Sequence, residues 1–194
     1  MDIVQRAKNI MVAPRTEWAV IDAEATTIGD IYRNYLVYLA AVPAVAGFIG
    51  TSLIGQTLPL IGVYRVPVIS GILTALLTYG LSLAGVYILA LIIEKLAPTF
   101  NGVPNLLAAF KLAAYSVTPA WLAGIFAIIP PLAVLGILGL YSLYLFYIGL
   151  PVLMRSPPEK AMLYTLAVII AAVVLNLLIV LVIGLLIGGL MMPG

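Results

Sequence analysis

Lys111, Tyr115 and Thr118 are separated by four and three residues, so on a helix they fall with Leu122 on one face within about 60°. An ammonium beside two hydroxyls can receive an anion such as a lipid phosphate, or line the path of a small solute. The same three groups can also tie helices together, with the lysine stem snorkelling to the headgroups. Glu94 closes an earlier apolar stretch and could bind a proton or a cation, or rest at the surface paired with Lys111. Asn176 sits near mid-depth of the last apolar stretch, where an amide seeks a neighbour and commonly joins two helices. Tyr141, Tyr144 and Tyr147 could line a groove or pack with their hydroxyls at the interface. The candidate polar site is therefore Glu94, Lys111, Tyr115, Thr118, Tyr144 and Asn176.

The chain contains neither histidine nor cysteine, which removes disulfides, thiol nucleophiles, the usual zinc site and a histidine proton relay. No nucleophile–base pair, phosphate loop or metal-ligand spacing is present, and Met154, Met162, Met191 and Met192 are too scattered to make a soft-metal path. The expectation is a protein with no catalytic residues, no metal and no cofactor. The net charge of +2 is small and argues against nucleic acid as a partner.

The elements that must position these residues follow from the composition. Of 194 residues, 64% are hydrophobic and 8% charged, against about 25% charged in soluble domains. Leu112 to Met154 carries no charge; as one helix it would be roughly 65 Å long, twice the hydrocarbon thickness, so it must reverse. Pro130-Pro131 supplies the reversal. The expected fold is an all-α integral membrane bundle of five transmembrane helices, over about 34–55, 68–93, 112–129, 132–154 and 161–190. An N-terminal amphipathic interfacial helix lies within a cytoplasmic lead-in, 1–33, and residues 34–194 form the membrane domain. Eight of the nine Lys and Arg residues fall on one side of these spans and only Arg65 on the other, which predicts a cytoplasmic N-terminus and an external Met192-Pro193-Gly194 tail.

In the lead-in, Ile3, Val4, Ala7, Ile10 and Met11 recur at helical spacing up to Pro14, and the continuing charges Glu17, Asp22, Glu24 and Asp30 do not fit a cleavable signal. The expected role is lipid anchoring, with Trp18 at the headgroup boundary and a soluble docking partner as the other reading. Small residues at four-residue spacing, Gly47, Thr51 and Gly55, predict a ridge where Gly47 and Thr51 meet another helix at backbone distance.

Several segments together resemble the Yip family, the five-span proteins named for interacting with Ypt/Rab GTPases, and its prokaryotic branch in particular. They are Ala13-Pro14-Arg15-Thr16-Glu17-Trp18, Ala97-Pro98-Thr99-Phe100-Asn101-Gly102 and Ala114-Tyr115-Ser116-Val117-Thr118-Pro119-Ala120-Trp121. Gly139-Leu140-Tyr141-Ser142-Leu143-Tyr144, Gly149-Leu150-Pro151, and Arg155 to Ala161 with Tyr164 complete the set. The resemblance covers nearly the whole chain and implies five helices and a cytoplasmic N-terminus. Eukaryotic relatives act in vesicle trafficking and membrane organisation, but their longer cytoplasmic region is largely missing here.

These readings combine into a non-enzymatic membrane protein of the inner or plasma membrane that organises membrane lipids, a membrane-protein partner or a homo-oligomer through its helix faces. The alternative is a small oligomeric transporter or channel for an ion or small solute, built on Lys111, Tyr115 and Thr118 facing inward beside Asn176. A transporter needs a polar cavity reaching mid-bilayer; an organising protein is packed there.

Overall fold

A computed structural model describes residues 2–58 and 62–191; the Met192-Pro193-Gly194 tail and part of the link after the first span lie outside the described residues. The chain is an all-α membrane protein with five helices long and apolar enough to cross a bilayer: Ile28–Ile54, Val68–Phe100, Leu106–Ile128, Pro130–Met154 and Pro158–Gly188, named here the first to fifth spans. Two short helices precede them, α1 (Ile3–Val12) and α2 (Pro14–Ala23).

Local chemistry sets the boundaries. Asp2 caps α1 by accepting from the Val4 N–H at 3.0 Å. Pro14, with no N–H to lose, opens α2 directly behind it. The first span starts at Ile28 because Thr27 and Asp30 form a capping box, each side chain receiving the other's backbone N–H. The third starts at Leu106, where Asn105 accepts from the Ala108 N–H. Both begin six residues before the apolar pattern does, because polar caps hold the first turns at headgroup depth, where apolar side chains are not required.

The second span ends on Asn101 and the fourth on Arg155, both in the left-handed region. A two-stranded antiparallel ribbon, β1 (Gln56–Leu58) and β2 (Gly62–Tyr64), pairs Gln56 with Tyr64 in the link between the first and second spans. The third and fourth spans reverse at Ile129, which is extended as a residue before proline should be. The fourth span then runs as 3-10 helix over Pro130–Leu140 before becoming α-helical at Tyr141.

The second span packs against the first, third and fifth, the third against the fourth, and α2 against the fourth. The core is concentrated at the end that carries α1 and α2: Ile10, Trp18, Ile21, Leu36, Ile93, Phe110, Leu112, Leu145, Leu150 and Tyr164 are all fully buried. The opposite end is thinner, and Pro130–Leu140 buries no residue.

The expected Gly47 ridge is not where the helices meet. A Cβ at Gly47 would touch nothing within 4 Å, whereas one at Gly50 would strike the Ala127 carbonyl at 1.9 Å. A π-helical turn advances less in angle per residue than an α-helical one, and the π-helical stretches Tyr32–Leu36 and Ile49–Ile54 bring Gly50, not Gly47, onto the face that meets the third span.

Candidate functional site

The third span places Lys111, Tyr115 and Thr118 along one buried face, and each meets a different element. The Lys111 ammonium donates to the carbonyls of Ile21 and Glu24, both at 2.7 Å, with Asp22 O at 3.5 Å. These are the orphan carbonyls at the C-terminal end of α2, so the lysine caps that helix and meets the negative end of its dipole. It is 4% exposed and does not snorkel, and the expected Glu94–Lys111 pair does not form. Glu94 is half-buried and has no ion pair among the described residues.

Thr118 is fitted to the proline beside it. Pro119 has no N–H to offer the Tyr115 carbonyl four residues back, and the Thr118 hydroxyl takes that acceptor instead at 2.8 Å. Its proton being spent there, Thr118 Oγ1 accepts from the Tyr35 hydroxyl of the first span at 2.7 Å. The Tyr35 and Tyr115 rings pack with centroids 4.9 Å apart.

Arg6, from α1, sits over the Tyr115 ring at 5.3 Å and donates to the carboxylates of Glu17 and Glu24. Arg6 and Glu17 are both almost fully buried. Their charges and that of Lys111 are offset within the cluster, since Arg6 and Lys111 supply two positive charges and Glu17 and Glu24 two negative. Trp18, one residue on from Glu17, fills a notch at Gly149, where an added Cβ would come within 2.5 Å of the indole, and donates its N–H to the Leu145 carbonyl at 3.1 Å. The Tyr141 hydroxyl donates to the Met11 carbonyl, and Arg155 pairs with Asp22 at 2.7 Å.

The lead-in is thus docked on protein through Arg6, Ile10, Glu17, Trp18 and Ile21, and Trp18 lies in the core rather than at the headgroup boundary. The pairing explains it: Glu17 and Glu24 of the lead-in neutralise Arg6, and the third span supplies the Tyr115 face for Arg6 and the Lys111 ammonium for the end of α2. Val4, Val12 and Val20 remain outward.

The structure does not bring the rest of the predicted site together. Asn176 is exposed on the fifth span, and it is not among the hydrogen-bond partners of the stripe it was expected to join. Tyr144 is 42% exposed, its ring beside Tyr141. Arg6, Glu17, Glu24 and Tyr35 belong to the cluster and were not anticipated. A small cleft of about 60 Å³ opens beside it among Asp2, Arg6, Glu24, Asp30, Asn34 and Tyr115. No group of three His, Cys, Asp or Glu among the described residues is placed to hold a metal.

A family model described as the Yip1 domain matches residues 8–183. The chain belongs to the Yip1 domain family. Two relatives of this Yip1-domain protein are each 32% identical over 117 residues: inner membrane protein YohC of Escherichia coli strain K12 and that of Escherichia coli O6:H1. The matched stretch is 60% of this chain and 60% of each relative, so the chain spans about three fifths of the length of the curated relatives it matches. No solved structure matches it. Within the Yip1 match lie α2, the stripe on the third span and the Gly149 notch.

Proposed function

We propose that this Yip1-domain protein is a non-enzymatic integral protein of the inner membrane that organises lipid, a second copy or a membrane-protein partner through its helix faces. Its N-terminus and charged links are cytoplasmic and its C-terminus is outside. The observation that carries the reading is the fate of the polar stripe. Lys111 and Thr118 spend their hydrogen bonds on α2, Tyr35 and the Tyr115 carbonyl, so the face best suited to conduct a solute is instead a structural seam. The fifth span, meanwhile, turns Val173, Val174, Leu177, Leu178 and Leu181 outward around Asn176, a surface open to lipid or to another helix. The YohC relatives, named as inner membrane proteins, support the location.

The chain has no cysteine, so a lone one replacing Asn176 reports proximity without background. In native membranes Asn176→Cys is expected to cross-link to a second copy or to another membrane protein through a hydrophobic bifunctional thiol reagent. Absence of any cross-linked species counts against the organising role.

The transporter reading draws on a cavity of about 720 Å³ at the opposite end, between Thr51, Gln56, Ala127, Pro130 and Ala133. It shares no lining residue with the cleft at Tyr115. Solute flux in reconstituted liposomes that Thr51→Trp abolishes would replace the organising role with transport.

A further inference from the structure

A groove of about 410 Å³ runs between α1 and the first span, walled by Val4, Lys8 and Met11 on one side and Tyr38 and Val42 on the other, with Ala7, Leu39 and Leu122 along its floor. Its volume is that of small-molecule sites, which run from about 300 to 1,000 Å³. The lining is almost wholly apolar. Tyr38 and Val42 lie four and eight residues beyond residue 34, where the apolar pattern of the first span starts, roughly 6–12 Å along its axis, so the groove opens at the depth of the upper acyl chains. Val4 and Tyr38 are 70% and 62% exposed, and the flank they form is covered by no other part of the described chain.

Lys8 and Tyr38 give this apolar slot a polar rim. Neither has an ion pair or side-chain hydrogen bond among the described residues, unlike Arg6, Lys111 and Arg155, each of which donates to an acceptor within the chain. A lysine at this depth extends its stem toward the headgroups. An apolar slot beneath a free cation has the form of a phospholipid: one acyl chain alongside Ala7 and Leu122, and a phosphate within reach of the ammonium. The two buried cations on this side of the bundle cannot serve, since Lys111 caps α2 and Arg6 is paired with Glu17 and Glu24.

We infer that the α1–first span groove binds one acyl chain of an anionic phospholipid, whose headgroup Lys8 selects. The inference narrows the lipid half of the proposed function to one groove. Its test reads lipid identity, which the cross-link at Asn176 does not, so the two can fail separately.

The test is competition in detergent: the purified full chain is offered equal amounts of phosphatidylglycerol and phosphatidylcholine with identical chains, and bound lipid is counted by native mass spectrometry. The parent is expected to prefer phosphatidylglycerol about fivefold, the scale of one lysine near an anionic surface. Lys8→Gln should remove the preference while still retaining lipid, and Lys95→Gln, an exposed cation outside the groove, should leave it intact. Val42→Trp fills the groove and should release both lipids; Val4→Trp, at an exposed wall position, serves if the first variant does not fold. Equal retention of the two lipids by the parent overturns the inference. So does a Lys8→Gln protein that keeps the preference, a Lys95→Gln protein that loses it equally, or lipid retention undiminished by a folded groove-filling variant.

Discussion

Lys111 spends its donors on the last carbonyls of a helix ninety residues earlier in the chain, and that single contact decides between several meanings its position could have had. A lysine one turn inside a span can snorkel, bind an anion or pair with a carboxylate; backbone carbonyls outcompete all three here because α2 ends against it. Removing the ammonium leaves two buried acceptors unsatisfied, a cost of about 1–3 kcal/mol. Lys111→Met is therefore expected to lower the melting temperature in detergent and to loosen α2, read as a red shift of Trp18 emission measured in a Trp121→Phe background. An unchanged melting temperature and spectrum would mean that α2 docks without its cap. Gly149 makes a sharper case, since only hydrogen fits beside the indole. Gly149→Leu should expel Trp18 and expose its ring to iodide quenching, with the five spans retained by circular dichroism.

At the scale of elements, backbone geometry rather than residue type determines where helices touch. The second span runs past the expected residue 93, as α-helix to Leu96 and as 3-10 helix through Phe100, and ends on the left-handed Asn101. The first span contains two π-helical turns flanking Pro43, which rotate every later residue relative to an α-helix. Hence Gly50, not Gly47, faces Ala127, and Gly124 meets Pro43 with an added Cβ only 2.6 Å from the proline's own. Gly50→Leu is expected to destabilise the bundle by more than about 3 kcal/mol, because the contact is with backbone and cannot yield. Gly47→Leu should be nearly neutral, and comparing the two melting curves is the check.

The same distinction separates what the sequence made legible from what it did not. Five spans, the reversal at Pro130-Pro131 and the inward face of Lys111, Tyr115 and Thr118 follow from apolar length, proline and helical spacing, all of which are local. The Arg6–Glu17–Glu24 cluster joins two helices across a proline break, and no periodicity relates those three residues. Asn176 misled because a lone amide at mid-depth says that a partner is wanted, but not that this chain provides it.

On the scale of the whole molecule, the two ends differ in construction. The end bearing the lead-in is closed by buried charges, aromatic rings and capped helix termini, whereas the other has a 3-10 segment with no buried residue, a two-stranded ribbon and an open cavity. That asymmetry parallels the charge distribution, in which every Lys and Arg except Arg65 belongs to the closed end. Cationic segments stay cytoplasmic during insertion, so the closed end should face the cytoplasm and the reversal at Ile129 the outside. The native absence of cysteine makes the orientation directly measurable. Ala133, exposed just after the reversal, and Asn101 and Glu159, exposed in the two charged links, are suitable single positions; Ser156 is not, because it is buried against Phe100. In intact cells Ala133→Cys should react with an impermeant maleimide, while Asn101→Cys and Glu159→Cys should react only after the membrane is permeabilised. The reverse pattern would place Arg65 alone inside against eight external cations, and would require that something other than loop charge orients this protein.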